Sequence, residues 1–173
     1  PSSAATCGQD CERLSRELYA SCLAAGNGQA ECAERAKAAL AFHPHEFAAG
    51  ISICGMSDLN TWYRTTEQWI AAAAYPKYGH PISDQRLLEQ LSPLPRAHAV
   101  TAPLLLVHGL NDTNVPPSES QQMCDALTAL GRRAELLLFD DDGHEIDKRE
   151  NRAVLLKAMC AWLTAAFDSG PAD

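Results

Sequence analysis

The sequence predicts an α/β fold built on a parallel sheet. Three observations lead there. Apolar runs of strand length recur at 47–55, 103–108 and 134–139. Such runs, closed by turn residues, mark strands buried on both faces. Helical segments separate them, so the order from residue 47 is strand, helices, strand, helix, strand, helix. Each run also ends at a Gly or an acidic turn carrying polar side chains. In open parallel sheets that is where the working groups stand.

Bulk properties narrow the function classes. The 173 residues suffice for one domain with a real core. A formal net charge of −8 opposes nucleic-acid binding, which needs a basic face. No apolar stretch approaches the roughly 18 residues that would span a bilayer, so no membrane role is expected. The N-terminus lacks a basic start followed by an apolar core, so no signal peptide is expected. The chain begins at Pro1, and an upstream piece is expected to be missing or removed. Localisation is therefore not fixed by this end, with the cytoplasm as the default.

In chain order, residues 1–8 are small and polar. From Gln9, Cys11, Leu14, Leu18 and Cys22 fall on one helical face. Gly26-Asn27-Gly28 breaks that helix, and an Ala-rich one follows from about Gln29 to Phe42. The two make a Cys-bearing helical hairpin. His43-Pro44-His45-Glu46 is a turn. The first strand lies within Phe47 to Gly55, with Asp58 near its carboxyl end. Residues 58–75 are partly helical, Tyr75 to Pro81 a loop, and Ser83 to Leu91 a short helix capped by Ser83. Ser92-Pro93-Leu94-Pro95 is irregular.

Next comes the strand at 103–108. The amphipathic helix Ser118 to Leu130 follows and is stopped by Gly131. Ala134 to Phe139 is another buried strand. A last helix from about Lys148 to Phe167 buries Val154, Leu155, Met159, Trp162, Leu163 and Phe167.

Asp112 and His144 occupy equivalent places, each just past a buried strand. If those strands are neighbours, the carboxylate meets the imidazole. It then fixes the tautomer and leaves the other ring nitrogen as a base for a hydroxyl nucleophile. The order of acid then histidine is that of α/β-hydrolases.

The motifs are more specific than the pair. They are His43-Pro44 with Phe47-Ala48-Ala49, Cys54-Gly55 with Asp58-Leu59, and Ser92-Pro93-Leu94. Then come Ala102-Pro103 through His108-Gly109, Asn111-Asp112, Val115-Pro116, Gly143-His144, and Lys148 to Asn151. With these, residues from about 38 to 167 resemble the C-terminal half of the catalytic domain of the prolyl oligopeptidase family of serine peptidases. The acylaminoacyl-peptidase and dipeptidyl-peptidase-like members are the most similar. The resemblance implies a partial α/β-hydrolase sheet with flanking helices over 38–167, preceded by the hairpin at 1–37 and followed by a tail at 168–173. It also implies a peptide substrate, no cofactor, Asp112 as the triad acid and His144 as the base. The family's nucleophile sits on a Gly-x-Ser-x-Gly elbow, and the sequence contains none. Ser52 has the wrong spacing, so the nucleophile is unknown. A missing upstream segment would supply it. The alternative is an inactive remnant kept for packing, partner binding or self-association.

Other residues have plainer readings. Asp112 alone suits a turn, and His144 alone suits a surface loop. His108 reads as structural. His43 and His45 flank a turn proline rather than a metal. Trp62, Tyr63 and Trp69 could line a pocket but fit a core. Asp140-Asp141-Asp142 could invite a cation but fits a solvated loop. Cys54, Cys124 and Cys160 look like small apolar side chains. Among the early cysteines, Cys22 and Cys32 straddle the glycine turn and could pair. Cys7 and Cys11 are too close along one helix to bridge easily, and no zinc-site spacing is present. Free thiols are the default for all four, with a redox or metal module as a further alternative.

Overall fold

The computed structural model describes residues 40–41 and 47–168. The expected hairpin up to residue 39, its four cysteines, the His43–Glu46 turn and the tail from 169 lie outside the described residues.

Among the described residues, three parallel strands form a sheet, in spatial order β1 (Gly50–Ile53), β2 (Leu104–Gly109), β3 (Ala134–Phe139). Leu104 of the central strand aligns with Gly50 on one side and Ala134 on the other. Every residue of β2 is buried, as an apolar run without a charge requires. Its side chains alternate between two cores. Leu104 and Leu106 pack with Leu40, Ala41, Met123 and Leu127. Leu105 and Val107 pack with Phe139 and Trp162. Fully burying one such side chain stabilises by about 1.5–3 kcal/mol, so β2 is the anchor of the fold.

The edges differ from expectation. β1 is only four residues long. β3 is half-exposed, not buried, because it is an edge strand whose Glu135 and Leu138 face outward. Phe139 is its one buried residue.

Helices flank the sheet. α4 (Ser118–Ala129) lies on one face and α5 (Arg149–Asp168) on the other. Gly131 ends the α4 region with φ of 69°, a conformation that glycine adopts at little steric cost. The buried stripe of α5 is narrower than expected. Trp162 and Ala166 are buried, whereas Val154 and Phe167 stand off the stripe and are exposed.

Between β1 and β2 the chain makes α1 (Leu59–Thr65), α2 (Gln68–Tyr78), α3 (Gln85–Leu91) and a 3-10 turn, Leu94–Ala99. Helix α2 runs through Tyr75, where a loop was expected, and Pro76 sits inside its last turn. Asp84, rather than Ser83, stands at the start of α3. Its carboxylate makes no capping bond there but accepts from the His80 amide at 2.7 Å. Trp62 and Tyr63 are core, stacked edge-on with centroids 4.8 Å apart. Trp69 is 71% exposed and belongs to no core.

Candidate active site

The site lies past the carboxyl ends of β2 and β3. Gly109 closes β2 and leaves room for the turn that follows β3. A Cβ at Gly109 would lie 2.3 Å from the Gly143 carbonyl oxygen and 2.5 Å from that of Asp142. Only glycine admits so close a backbone. The two turns are then laced together. The Leu110 amide donates to the Phe139 carbonyl at 2.8 Å, and the Asn111 amide to the Asp142 carbonyl at 3.0 Å. The Asn111 side chain reaches the Asp140 carbonyl at 3.1 Å.

This lacing brings Asp112 and His144 together, 32 residues apart in sequence. His144 Nδ1 lies 2.8 Å from Asp112 Oδ2. The other carboxylate oxygen, Oδ1, accepts the amides of Asn114 and Val115, both at 2.9 Å. Those residues are held from α1, since Trp62 Nε1 and Thr66 Oγ1 both donate to the Asn114 carbonyl. Val115 itself packs into the aromatic cluster of Trp62 and Tyr63. Burial of Asp112 would raise its pKa. The bonds from His108, His144 and the Val115 amide, with the charge of His144, outweigh that and hold the carboxyl well below the usual carboxylate range.

The turn that carries His144 is anchored as well. Asp142 was expected in a solvated loop, yet it is buried. It accepts from the Asn151 side chain at 2.7 Å and from the Lys148 amide at 3.4 Å. Asp141 remains exposed and pairs with Lys148 Nζ at 2.5 Å. The acidic run therefore ties the histidine turn to the start of α5. The His144 side chain is 23% exposed, so it can meet a substrate.

Several participants were not apparent from the sequence. Glu119 is fully buried although it begins a polar-looking helix. Its carboxylate accepts the amides of Ser57 and Asp58 at 2.8 and 2.9 Å, and the Thr61 hydroxyl at 2.5 Å. It braces the start of α1 against α4. Ser120, next to it, meets His108 Nδ1 at 2.7 Å. The faint signal for His108 was its place four residues before Asp112.

Cys54, His108 and Asp112 bring a sulfur, a nitrogen and an oxygen within 4.8 Å of one another. His108 Nε2 lies 2.7 Å from the Val115 carbonyl, which can only accept, so that nitrogen carries the proton. Its lone pair is not available to a metal, and the cluster is a hydrogen-bonded one. Cys54 is buried in the left-handed region, φ 48°, with Sγ 3.9 Å from the Gly143 carbonyl. Cys124 and Cys160 are half-buried.

A helix-flanked parallel sheet, with an acid after one strand and a histidine after its neighbour, defines an α/β-hydrolase domain. Residues 35–170 match the prolyl oligopeptidase family, and the chain belongs to that family. The dipeptidyl aminopeptidase BIII of Pseudoxanthomonas mexicana is 36% identical over 117 residues, which is 65% of this chain and 17% of that protein. Dipeptidyl peptidase family member 6 of Caenorhabditis elegans is 34% identical over 119 residues, covering 65% of this chain and 16% of that protein. The acylaminoacyl peptidase of Pyrococcus horikoshii superposes with a TM-score of 0.68 at 25% identity, over 77% of this chain and 22% of that one. The chain therefore corresponds to less than a quarter of the length of these relatives.

Proposed function

We propose that this chain supplies the acid and base of a serine-peptidase site whose nucleophile lies on sequence outside these 173 residues. The observation that carries the reading is the 2.8 Å contact between His144 Nδ1 and the Asp112 carboxylate. With Nδ1–H donated to Asp112, Nε2 is the basic nitrogen. In peptide hydrolysis, Nε2 takes the proton of a serine hydroxyl as its oxygen attacks the scissile carbonyl carbon. The protonated ring then gives that proton to the departing amine. A water repeats the sequence on the acyl-enzyme, and the serine is restored. Asp112 keeps the ring in the required tautomer and stabilises the imidazolium. The names of the relatives and the family membership support a peptide as substrate.

The test uses a fluorophosphonate probe and a peptide substrate. The chain alone is expected to take no label. Co-expressed with an upstream segment carrying a Gly-x-Ser-x-Gly elbow, it is expected to form a complex that labels on that segment and cleaves peptides. In that complex, His144→Ala should lower turnover by a factor on the order of 10³ or more. Labelling within the 173-residue chain itself, or an assembled complex that binds peptide without cleaving it, would refute the proposal. The second outcome would favour a non-catalytic binding role.

A further inference from the structure

The carboxylate of Asp112 has two histidines, and the second has no part in the mechanism above. His108 is fully buried at the end of β2. Its Nδ1 lies 2.7 Å from Ser120 Oγ, and its Nε2 lies 2.7 Å from the Val115 carbonyl and 3.2 Å from Asp112 Oδ2. The Val115 carbonyl can only accept, so Nε2 bears the hydrogen and Nδ1 accepts from the Ser120 hydroxyl. The Nε2–H is forked between Val115 and the acid. Turning the ring would take its N–H away from the buried Val115 carbonyl, which is costly. The ring is thus locked with its proton aimed at Oδ2, the oxygen that His144 also uses.

Two donors on one oxygen compete, because each draws on the same negative charge. We propose that His108 is a positioning residue for the acid–base pair: it fixes the Asp112 carboxylate and moderates the hold of that carboxylate on the His144 proton. The inference rests on the reading of His144 as the base. The titratable groups around the pair are few. Cys54 comes from the turn after β1, and His108 from β2. Asp141 and Asp142, on the histidine's own turn, are directed to Lys148 and Asn151. Glu145 follows it and is exposed.

Imidazole proton–nitrogen correlation spectra of the 173-residue chain, recorded through a pH titration, test this without any nucleophile. His108→Leu removes the competing donor, so the His144 midpoint is expected to rise by about half a unit. His108→Gln restores an amide donor near the Nε2 position and should bring the midpoint back toward wild type. Asp112→Asn, the control on the pair itself, should lower it. If Asp112→Asn lowers the midpoint while the Leu and Gln variants match wild type, His108 is packing only and the inference falls. If Asp112→Asn leaves it unmoved, the reading of the pair fails instead. Should His108→Leu not fold, Ser120→Ala keeps the ring and removes its Nδ1 anchor. It should move the His144 midpoint upward by a smaller amount, and no movement overturns the inference.

Discussion

Replacing Gly109 by alanine tests how the two site turns are held together. The added Cβ would meet the Gly143 and Asp142 carbonyl oxygens at 2.3 and 2.5 Å, and the Asp142 carbonyl carbon at 2.7 Å. All three are backbone atoms, so no side chain can swing aside. Restoring ordinary contact requires a separation of roughly 1 Å between β2 and the 142–143 peptide. His144 is the next residue. A shift of that size would carry its Nδ1, now 2.8 Å from Asp112, beyond hydrogen-bond range. Overpacking alone costs about 1–3 kcal/mol. With a urea slope of about 2 kcal/mol/M, a loss of 2 kcal/mol moves the unfolding midpoint down by about 1 M. Urea titration followed by tryptophan fluorescence reads the midpoint, and the His144 imidazole spectrum reads the contact. A Gly109→Ala variant with an unchanged midpoint and an unchanged His144 spectrum would refute the claim that this glycine sets the approach of the two turns.

Other expectations follow from burial and charge. Leu106→Ala, on the fully buried central strand, should cost about 2–5 kcal/mol in urea unfolding. Glu119→Ala leaves the Ser57 and Asp58 amides without their acceptor and should cost about 2 kcal/mol or more, with Glu119→Gln less severe because its amide oxygen still accepts. For Asp112, the folded pKa lies below the unfolded one of about 3.9, so its contribution is complete above that pH and is lost as pH falls toward the folded value. Unfolding midpoints measured from pH 7 to pH 3 should therefore fall less steeply at the acid end in Asp112→Asn than in wild type.

The central strand was legible because an uncharged run such as Leu104–Val107 has one comfortable place, the middle of a parallel sheet. The Asp112–His144 pair was legible because both residues follow such runs, and neighbouring strands bring their ends together. The burial of β3 and the whole apolar stripe of α5 were overestimated, since local pattern does not say which strand lies at an edge. Glu119, Ser120 and Asp142 went unread for a related reason. A polar residue looks solvated until its buried partners are known, and those partners lie 58 to 62 residues away for Glu119. His108 was taken as structural from its place at a strand end, and no period or motif could show that it shares an oxygen with Asp112.

The parallel pairing of β2 and β3 also bears on how the site comes into being. Every aligned pair joins residues thirty positions apart, with Leu104 beside Ala134 and Gly109 beside Phe139. No hairpin can nucleate such a ladder. The crossover through α4 must close before any of its bonds reward the loss of chain freedom. The acid and its histidine are therefore products of the slow, non-local phase of folding. A nascent chain emerging from the ribosome holds Asp112 well before it holds His144, its partner across the turns.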